Sequence, residues 1–247
     1  GSSVLSQYGT VGMDFEGETK SGAISSLKAK KSWFTFPDAV AALGTGISSS
    51  EGKSTETIVD NRKAMENAEN TVWIDGLEAD LTTGEPASAS MNWALLEGNN
   101  GESQNIGYYF PGGDQTVSVR KGRNAGDWSL IGTSKGEALE TYLEMWFDHG
   151  ANPENDAYEY VLLPGLSAEE TEAYSKEPGI TILKNTPEIQ AAATADGLLT
   201  GVNFWTDGQA EIGAVAASRA ASVMTEEDED GKLTIAVSDP TMKNSGS

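Results

Sequence analysis

An all-β fold, an antiparallel β-sandwich with one or two short helices, is predicted by apolar/polar alternation with a period of two, turn signals between the alternating runs, and scarce helical patterning. Ile106, Tyr108 and Phe110 fall on one strand face, as do Leu143, Met145 and Phe147, and Leu233, Ile235 and Val237. Val72 with Ile74, Val117 with Val119, and Val202 with Phe204 are shorter cases. Glycine contributes 28 of the 247 residues.

The connections support this reading. Residues Glu97 to Ser103 (EGNNGES) separate an expected strand at Met91 to Leu96 from one at Asn105 to Phe110. Asn100-Gly101 is a pair that hairpin turns favour, because positive φ is cheap there. Residues Glu226 to Gly231 (EEDEDG) similarly separate Ala221 to Met224 from Lys232 to Val237, with Asp230-Gly231 at the turn. One helix is expected over Ser167 to Lys176. Ser167 and Glu170 have capping-box spacing, acidic residues crowd the N-terminal end, and Pro178-Gly179 ends the segment. A second, short helical turn is expected at Thr186-Pro187. Residues 13–237 are assigned to the sandwich. Residues 1–12 read as an expression remnant or a first edge strand, and 238–247 as the start of a truncated C-terminal region or a tag.

Composition narrows the function. Hydrophobic residues make up 38% and charged residues 22%, values of a folded globular protein. No apolar run reaches membrane-span length, and no leader opens the chain. The ends, Gly-Ser-Ser and Asn-Ser-Gly-Ser, read as trimmed, which is compatible with a leader lost upstream. The absence of cysteine excludes disulfides, thiolate nucleophiles and Cys-based metal sites. The net charge of −22 argues against nucleic acid and anionic membranes as partners.

Candidate functional residues each carry a structural alternative. Arg62, beside Asn61, has the planar fork that grips carboxylates, but Asp60 could occupy it. Six tryptophans invite stacking on sugars, though aromatics at alternating positions are more often core. Trp128, in the Gly-rich stretch Lys121 to Ser129, and Trp33, in Lys-Ser-Trp-Phe, are the two candidates. His149, the lone histidine, follows Asp148 and could be a carboxylate-oriented base, yet its place before Gly150 at a strand end favours a structural role. The run Glu226 to Asp230 could attract Ca²⁺ but lacks EF-hand spacing and reads as a solvated hairpin tip. No catalytic residue and no metal site are assigned. No cofactor is expected, and a Ca²⁺ ion would have no assigned ligands.

Seven segments in order carry a family resemblance: Lys28 to Gly52 (KAKKSWFTFPDAVAALGTGISSSEG), Thr55 to Lys63 (TETIVDNRK), Asn105 to Gly113 (NIGYYFPGG), Met145 to Gly150 (MWFDHG), Tyr158 to Glu170 (YEYVLLPGLSAEE), Gly201 to Trp205 (GVNFW) and Ala236 to Thr241 (AVSDPT). Together they resemble polysaccharide lyase family 8, secreted bacterial enzymes that cleave hyaluronan, chondroitin or xanthan. The resemblance implies the central β-sandwich portion of such an enzyme, without the preceding α/α toroid and the complete C-terminal β domain. It also implies that the Tyr, His and Asn of β-elimination, with a supporting Arg, come from the toroid and have no counterpart here. The chain alone is then expected to be inactive, with Trp33, Asn61, Arg62 and Trp128 as candidate contacts to an acidic polysaccharide. Exposed sandwich edges leave room for a homo-oligomer.

Overall fold

A computed structural model describes residues 1–19, 21–65 and 69–243. The described residues form antiparallel sheets with one α-helix, and the chain divides into two compact units. The first comprises residues 1–53, 151–163 and 176–247, and the second 54–150 and 164–175.

In the first unit the strands Ser2–Leu5, Tyr8–Glu18, Ile24–Thr35, Val40–Ser48 and Asp156–Pro164 lie side by side in that order. A second, five-stranded sheet is built from Ile180–Asn185, Ile189–Thr194, Leu199–Phe204, Ala221–Glu227 and Leu233–Ser238. The period of two sorts this second sheet into two faces of different chemistry. Ile189, Ala191, Val202, Phe204 and Val223 form an apolar cluster on one face. The hairpin Ala210–Ile212 and Val215–Ala217 packs on it.

Gln190, Gly201, Asn203, Ser222 and Met224 occupy the opposite face and are buried. Here a polar seam joins the sheets. Ser222 Oγ donates to Asn203 Oδ1 at 2.7 Å, and Asn203 Nδ2 donates to Ser32 Oγ at 2.8 Å. Ser32 Oγ donates to Gln190 Oε1 at 2.7 Å, and Gln190 Nε2 donates to Asn185 Oδ1 at 2.9 Å. Asn185 Nδ2 ends the chain on the carbonyls of Tyr158 and Gly44 at 3.0 and 3.2 Å. Two glycines permit close approach nearby. A Cβ on Gly201 would stand 2.5 Å from the fully buried Phe34 ring, and one on Gly44 would stand 2.0 Å from the Tyr158 ring.

The second unit holds a four-stranded sheet in the order Glu56–Lys63, Glu137–Asp148, Thr116–Asp127, Ala87–Ser90. It also holds the strands Ile106–Tyr109, Trp93–Leu96, Val72–Ile74 and Leu77–Glu78, paired in that order. Val117, Val119, Leu143, Met145 and Phe147 form a buried inner face, and Phe110 meets Phe147 edge-on at 5.9 Å. The helix Ala168–Lys176 starts where expected. Glu170 Oε2 accepts from the Ser167 amide at 2.8 Å and its hydroxyl at 2.9 Å, while the Glu170 amide donates to Ser167 Oγ at 3.2 Å.

Two expectations are corrected. Thr186-Pro187 forms no helical turn. Ile180–Asn185 and Ile189–Thr194 pair as a hairpin, and the intervening segment closes with the Ile189 amide on Thr186. The Asn100-Gly101 connection is a wide loop carrying a 3₁₀ turn at Glu102–Gln104 rather than a two-residue turn. Leu233, Ile235 and Val237 share a face as expected but remain exposed, because they lie on the edge strand of the five-stranded sheet.

Gly44→Ala is expected to lower stability by about 1–3 kcal/mol through overpacking against Tyr158. In a urea-denaturation cycle with Tyr158→Ala, the penalty of the alanine at position 44 should shrink once the ring is gone. Equal penalties in both backgrounds would show that the ring contact is not its source.

Candidate carbohydrate-binding face

A β-bulge decides which side chains the four-stranded sheet presents. Strand Glu56–Lys63 runs against Glu137–Asp148 with Trp146 opposite Ile58 and Met145 opposite Asp60, so Val59 is the extra residue. Thr57 and Asp60 therefore share the inner face, although three apart, and Ile58 and Asn61 share the outer one. Glu144 faces Asn61, and Tyr142 lies two residues further along the same face. From the other neighbouring strand, Arg120 pairs with Glu144 and Asn124 with Glu140.

This outer face carries a closed polar triangle. Arg120 Nε donates to Glu144 Oε2 at 2.7 Å, Asn124 Nδ2 donates to Glu144 Oε1 at 2.9 Å, and Arg120 Nη2 donates to Asn124 Oδ1. Gly122, between the two donors, lets the arginine lie along the strand. A Cβ there would be 3.2 Å from the guanidinium carbon. On either side lie two hollows. One, of about 360 Å³, is bounded by Asn61, Asn124, Gly126, Trp128, Ile131 and Tyr142. The other, of about 220 Å³, is bounded by Ile58, Asn61, Arg120, Glu144 and Trp146. Asn61 borders both.

Trp128 opens a 3₁₀ turn, Trp128–Leu130, after the strand Thr116–Asp127. The Asp127 carboxylate caps the turn by accepting from the Ser129 amide at 2.7 Å, and its hydrogen bonds to Ser129 hold its pKa below the ordinary aspartate value. Trp128 is 53% exposed, and Leu130 and Ile131 are each 80% exposed. An apolar tip thus stands beside a polar sheet face, an arrangement suited to the apolar and hydroxyl faces of a sugar.

The sequence-derived candidates separate. Asn61 and Trp128 meet at the larger hollow. Arg62 turns the other way, opposite Leu143 on the inner face. Its Nε donates to Asp60 Oδ2 at 2.8 Å, its Nη2 also reaches that oxygen, and its Nη1 donates to the Gln104 carbonyl at 3.3 Å. Tyr108 donates its hydroxyl to the same carboxylate oxygen at 2.5 Å. Burial opposes the Arg62 charge, but its hydrogen bond and attraction to Asp60 prevail and raise its pKa. Burial, then the Asp60 charge, pushes the Tyr108 phenol upward.

Trp33 lies in the first unit, half-buried on the strand Ile24–Thr35 between Val11 and Ala42. His149 shares a 2.9 Å hydrogen bond between Nε2 and the buried Thr57 Oγ1, and its amide donates to the Thr55 carbonyl at 2.9 Å. Among the described residues, no group of three or more His, Asp or Glu forms a metal cradle. Asp228 accepts from the Asp230 and Lys232 amides, so that carboxylate of the acidic run closes its own hairpin tip.

Arg120, Asn124, Tyr142, Glu144 and Trp146 were not among the candidates. The alternation that marks Leu143, Met145 and Phe147 as core also places Tyr142, Glu144 and Trp146 on the opposite face, which was the available signal.

Asp60→Asn is expected to cost about 3 kcal/mol in denaturant titration, because it leaves the partly buried Arg62 charge without its counter-ion. Trp128→Ala should stay within about 0.5 kcal/mol of the parent chain, as expected of an exposed side chain. A reversed order of these effects would mean that the inner cluster and the outer tip have been assigned the wrong roles.

Residues 1–175 match the polysaccharide lyase family 8 super-sandwich domain, and residues 181–247 match the family's C-terminal β-sandwich domain. The chain is 40% identical to a xanthan lyase of Bacillus sp. (strain GL1), over 97% of this chain and 26% of that protein. It is 31% identical to a hyaluronate lyase of Thermasporomyces composti, over 90% of this chain and 28% of that protein. The structure of a Paenibacillus xanthan lyase superposes with a TM-score of 0.90 at 38% identity, covering 98% of this chain and 23% of that one. A Streptomyces coelicolor chondroitin AC lyase, solved with chondroitin sulphate, gives 0.75 at 29% identity, covering 98% and 29%. The chain spans about a quarter of the length of these relatives. Because the super-sandwich match alone spans more than half of its residues, the chain belongs to polysaccharide lyase family 8.

Proposed function

We propose that this chain is the non-catalytic sandwich portion of a secreted bacterial lyase that β-eliminates a uronic-acid-containing polysaccharide such as hyaluronan, chondroitin or xanthan. Its role is to support the catalytic toroid and to line the polymer's path. The observation that carries this reading is the outer face of the four-stranded sheet, where Asn61, Tyr142 and exposed Trp128 border one hollow. Relatives named for xanthan, hyaluronate and chondroitin cleavage supply the substrate class.

β-Elimination requires a base for the proton α to the uronate carboxylate, a group that neutralises the resulting charge, and an acid for the departing oxygen. Asn61 and Asn124 offer amides to sugar hydroxyls, Tyr142 adds a hydroxyl, and Trp128 offers a ring for the apolar sugar face. This is the chemistry of holding and orienting. The role needs no cofactor from this chain. A polymer too large to enter a cell is met outside it, which supports secretion of the parent enzyme.

The test is the ultraviolet absorbance of unsaturated uronic product, with hyaluronan, chondroitin and xanthan as substrates. The chain alone should give no turnover, and any turnover overturns the non-catalytic reading. In the parent enzyme, Trp128→Ala and Asn61→Ala should raise KM about 10-fold with a smaller effect on kcat, the pattern of lost binding rather than lost chemistry. Unchanged KM in both would remove this face from the polymer's path. The exposed Trp128 also favours a second reading, a stand-alone carbohydrate-binding module. Tight binding by the isolated chain that does not change on rejoining the rest of the enzyme would select it.

A further inference from the structure

Lys31 differs from the other lysines on its strand. Strand Ile24–Thr35 carries three lysines against the acidic strand Tyr8–Glu18, and cross-strand register fixes their partners. Lys28 faces Glu16 and Lys30 faces Asp14, each forming an ion pair at 3.3 Å. Lys31 points to the opposite face and stands across from Met13. Among the described residues no ion pair to Lys31 is found, in a chain with a net charge of −22. Instead its ammonium lies 5.8 Å from the Phe15 ring centroid and 5.9 Å from that of Tyr158.

The surroundings are built to hold it there. Gly44 lets the Tyr158 ring lie against the sheet, and Tyr160 stacks beside that ring at 5.9 Å. Trp33 follows on the same face, about 7 Å along the strand from Lys31. Met13 and Val11, across from these two residues, are 46% and 45% exposed. A half-buried cation without a counter-charge, beside an indole, has two recognition elements that a sugar acid would satisfy together.

We infer that Lys31 and Trp33 form a second sugar-binding point on the N-terminal sheet, where the ammonium receives a uronate carboxylate and the indole takes the apolar face of the sugar. The inference rests on the reading that the parent enzyme handles an acidic polysaccharide, and it adds a contact separate from the Asn61 and Trp128 face. It also answers a problem of charge. An anionic polymer is repelled by this chain as a whole, and a cation not already neutralised within its own sheet is the group able to draw it in.

Calorimetric titration of the chain with a hyaluronan hexasaccharide, and with the same oligosaccharide after carboxyl reduction, tests this. Lys31→Met should weaken binding of the acidic form about 10-fold, as loss of a charge-assisted contact does. The carboxyl-reduced form should bind the parent chain as weakly as the acidic form binds Lys31→Met. Trp33→Ala should weaken both forms, and Trp33→Phe should retain more affinity. Burial lowers the Lys31 pKa below the ordinary 10.5. The contact is therefore complete below that lowered value and fades as pH rises through it, a step that Lys31→Met should lack. The acidic oligosaccharide should also protect Lys31 from reductive methylation.

No saturable binding, or unchanged affinity in a folded Lys31→Met chain, overturns the inference. Shielding of Lys31 from methylation in the full-length parent before sugar is added would do the same, assigning the ammonium to a protein carboxylate. If Trp128→Ala removes binding and Lys31→Met does not, only this inference falls. The converse result leaves it standing and removes the four-stranded face.

Discussion

The polar seam inside the first unit is the constraint on which its architecture rests. Ser32, Gln190, Asn203 and Ser222 are essentially excluded from water, and each is satisfied by another member of the seam. An unmade buried hydrogen bond costs about 1–3 kcal/mol, so a shift of either sheet would break several at once. Apolar contacts alone tolerate sliding, whereas a chain of directional bonds does not. The seam therefore specifies the alignment of strand Ile24–Thr35 with strands that follow it by more than 150 residues. It joins residues of the super-sandwich match to residues of the C-terminal domain match, so the boundary between those matches is not a boundary in the packing.

Small residues serve that alignment. Phe34 comes down on Gly201 of the five-stranded sheet and Tyr158 on Gly44 of the adjacent strand, so each ring takes the place of a missing side chain. Some glycines thus act within sheets rather than at turns, as seats for aromatic rings. With Tyr158 seated on Gly44, its ring centroid lies 5.9 Å from the Lys31 ammonium. Packing on the sheet thereby sets the electrostatic surroundings of a surface group.

The fold class was legible because local signals agree. Leu143, Met145 and Phe147 alternate as core residues must, and Ser167 with Glu170 closes the helix end by contacts three residues apart. What escaped depends on partners distant in sequence. Nothing local in Glu56 to Lys63 marks Val59 as a bulge, and without it a strict alternation would place Asp60 and Ile58 on the same face. The direction of Arg62 follows from that bulge, so the candidate site was legible as residue types and not as facing. Asn61 and Trp128 could be singled out, but not the Arg120, Asn124 and Glu144 triangle beside them. The hairpin at Thr186 was hidden for the same reason. Its Thr-Pro pair suits a helix start, and strand pairing on both sides overrides it.

The two arginine clusters show how one sheet can serve both stability and recognition. Asp60 and Arg62 lie on the inner face, where Tyr108 reaches the Asp60 carboxylate from strand Ile106–Tyr109 and an unpaired charge would be costly. Arg120, Glu144 and Asn124 lie on the outer face, where the ion pair is half-buried too, with side chains 28% and 19% exposed. Members of the outer network border the two hollows, whereas Asp60, Arg62 and Tyr108 border neither. Chemistry similar enough to look interchangeable in the sequence is therefore divided by the pleat. The same rule separates Lys30, paired with Asp14, from its neighbour Lys31, which the strand turns toward aromatic rings and which has no carboxylate partner among the described residues.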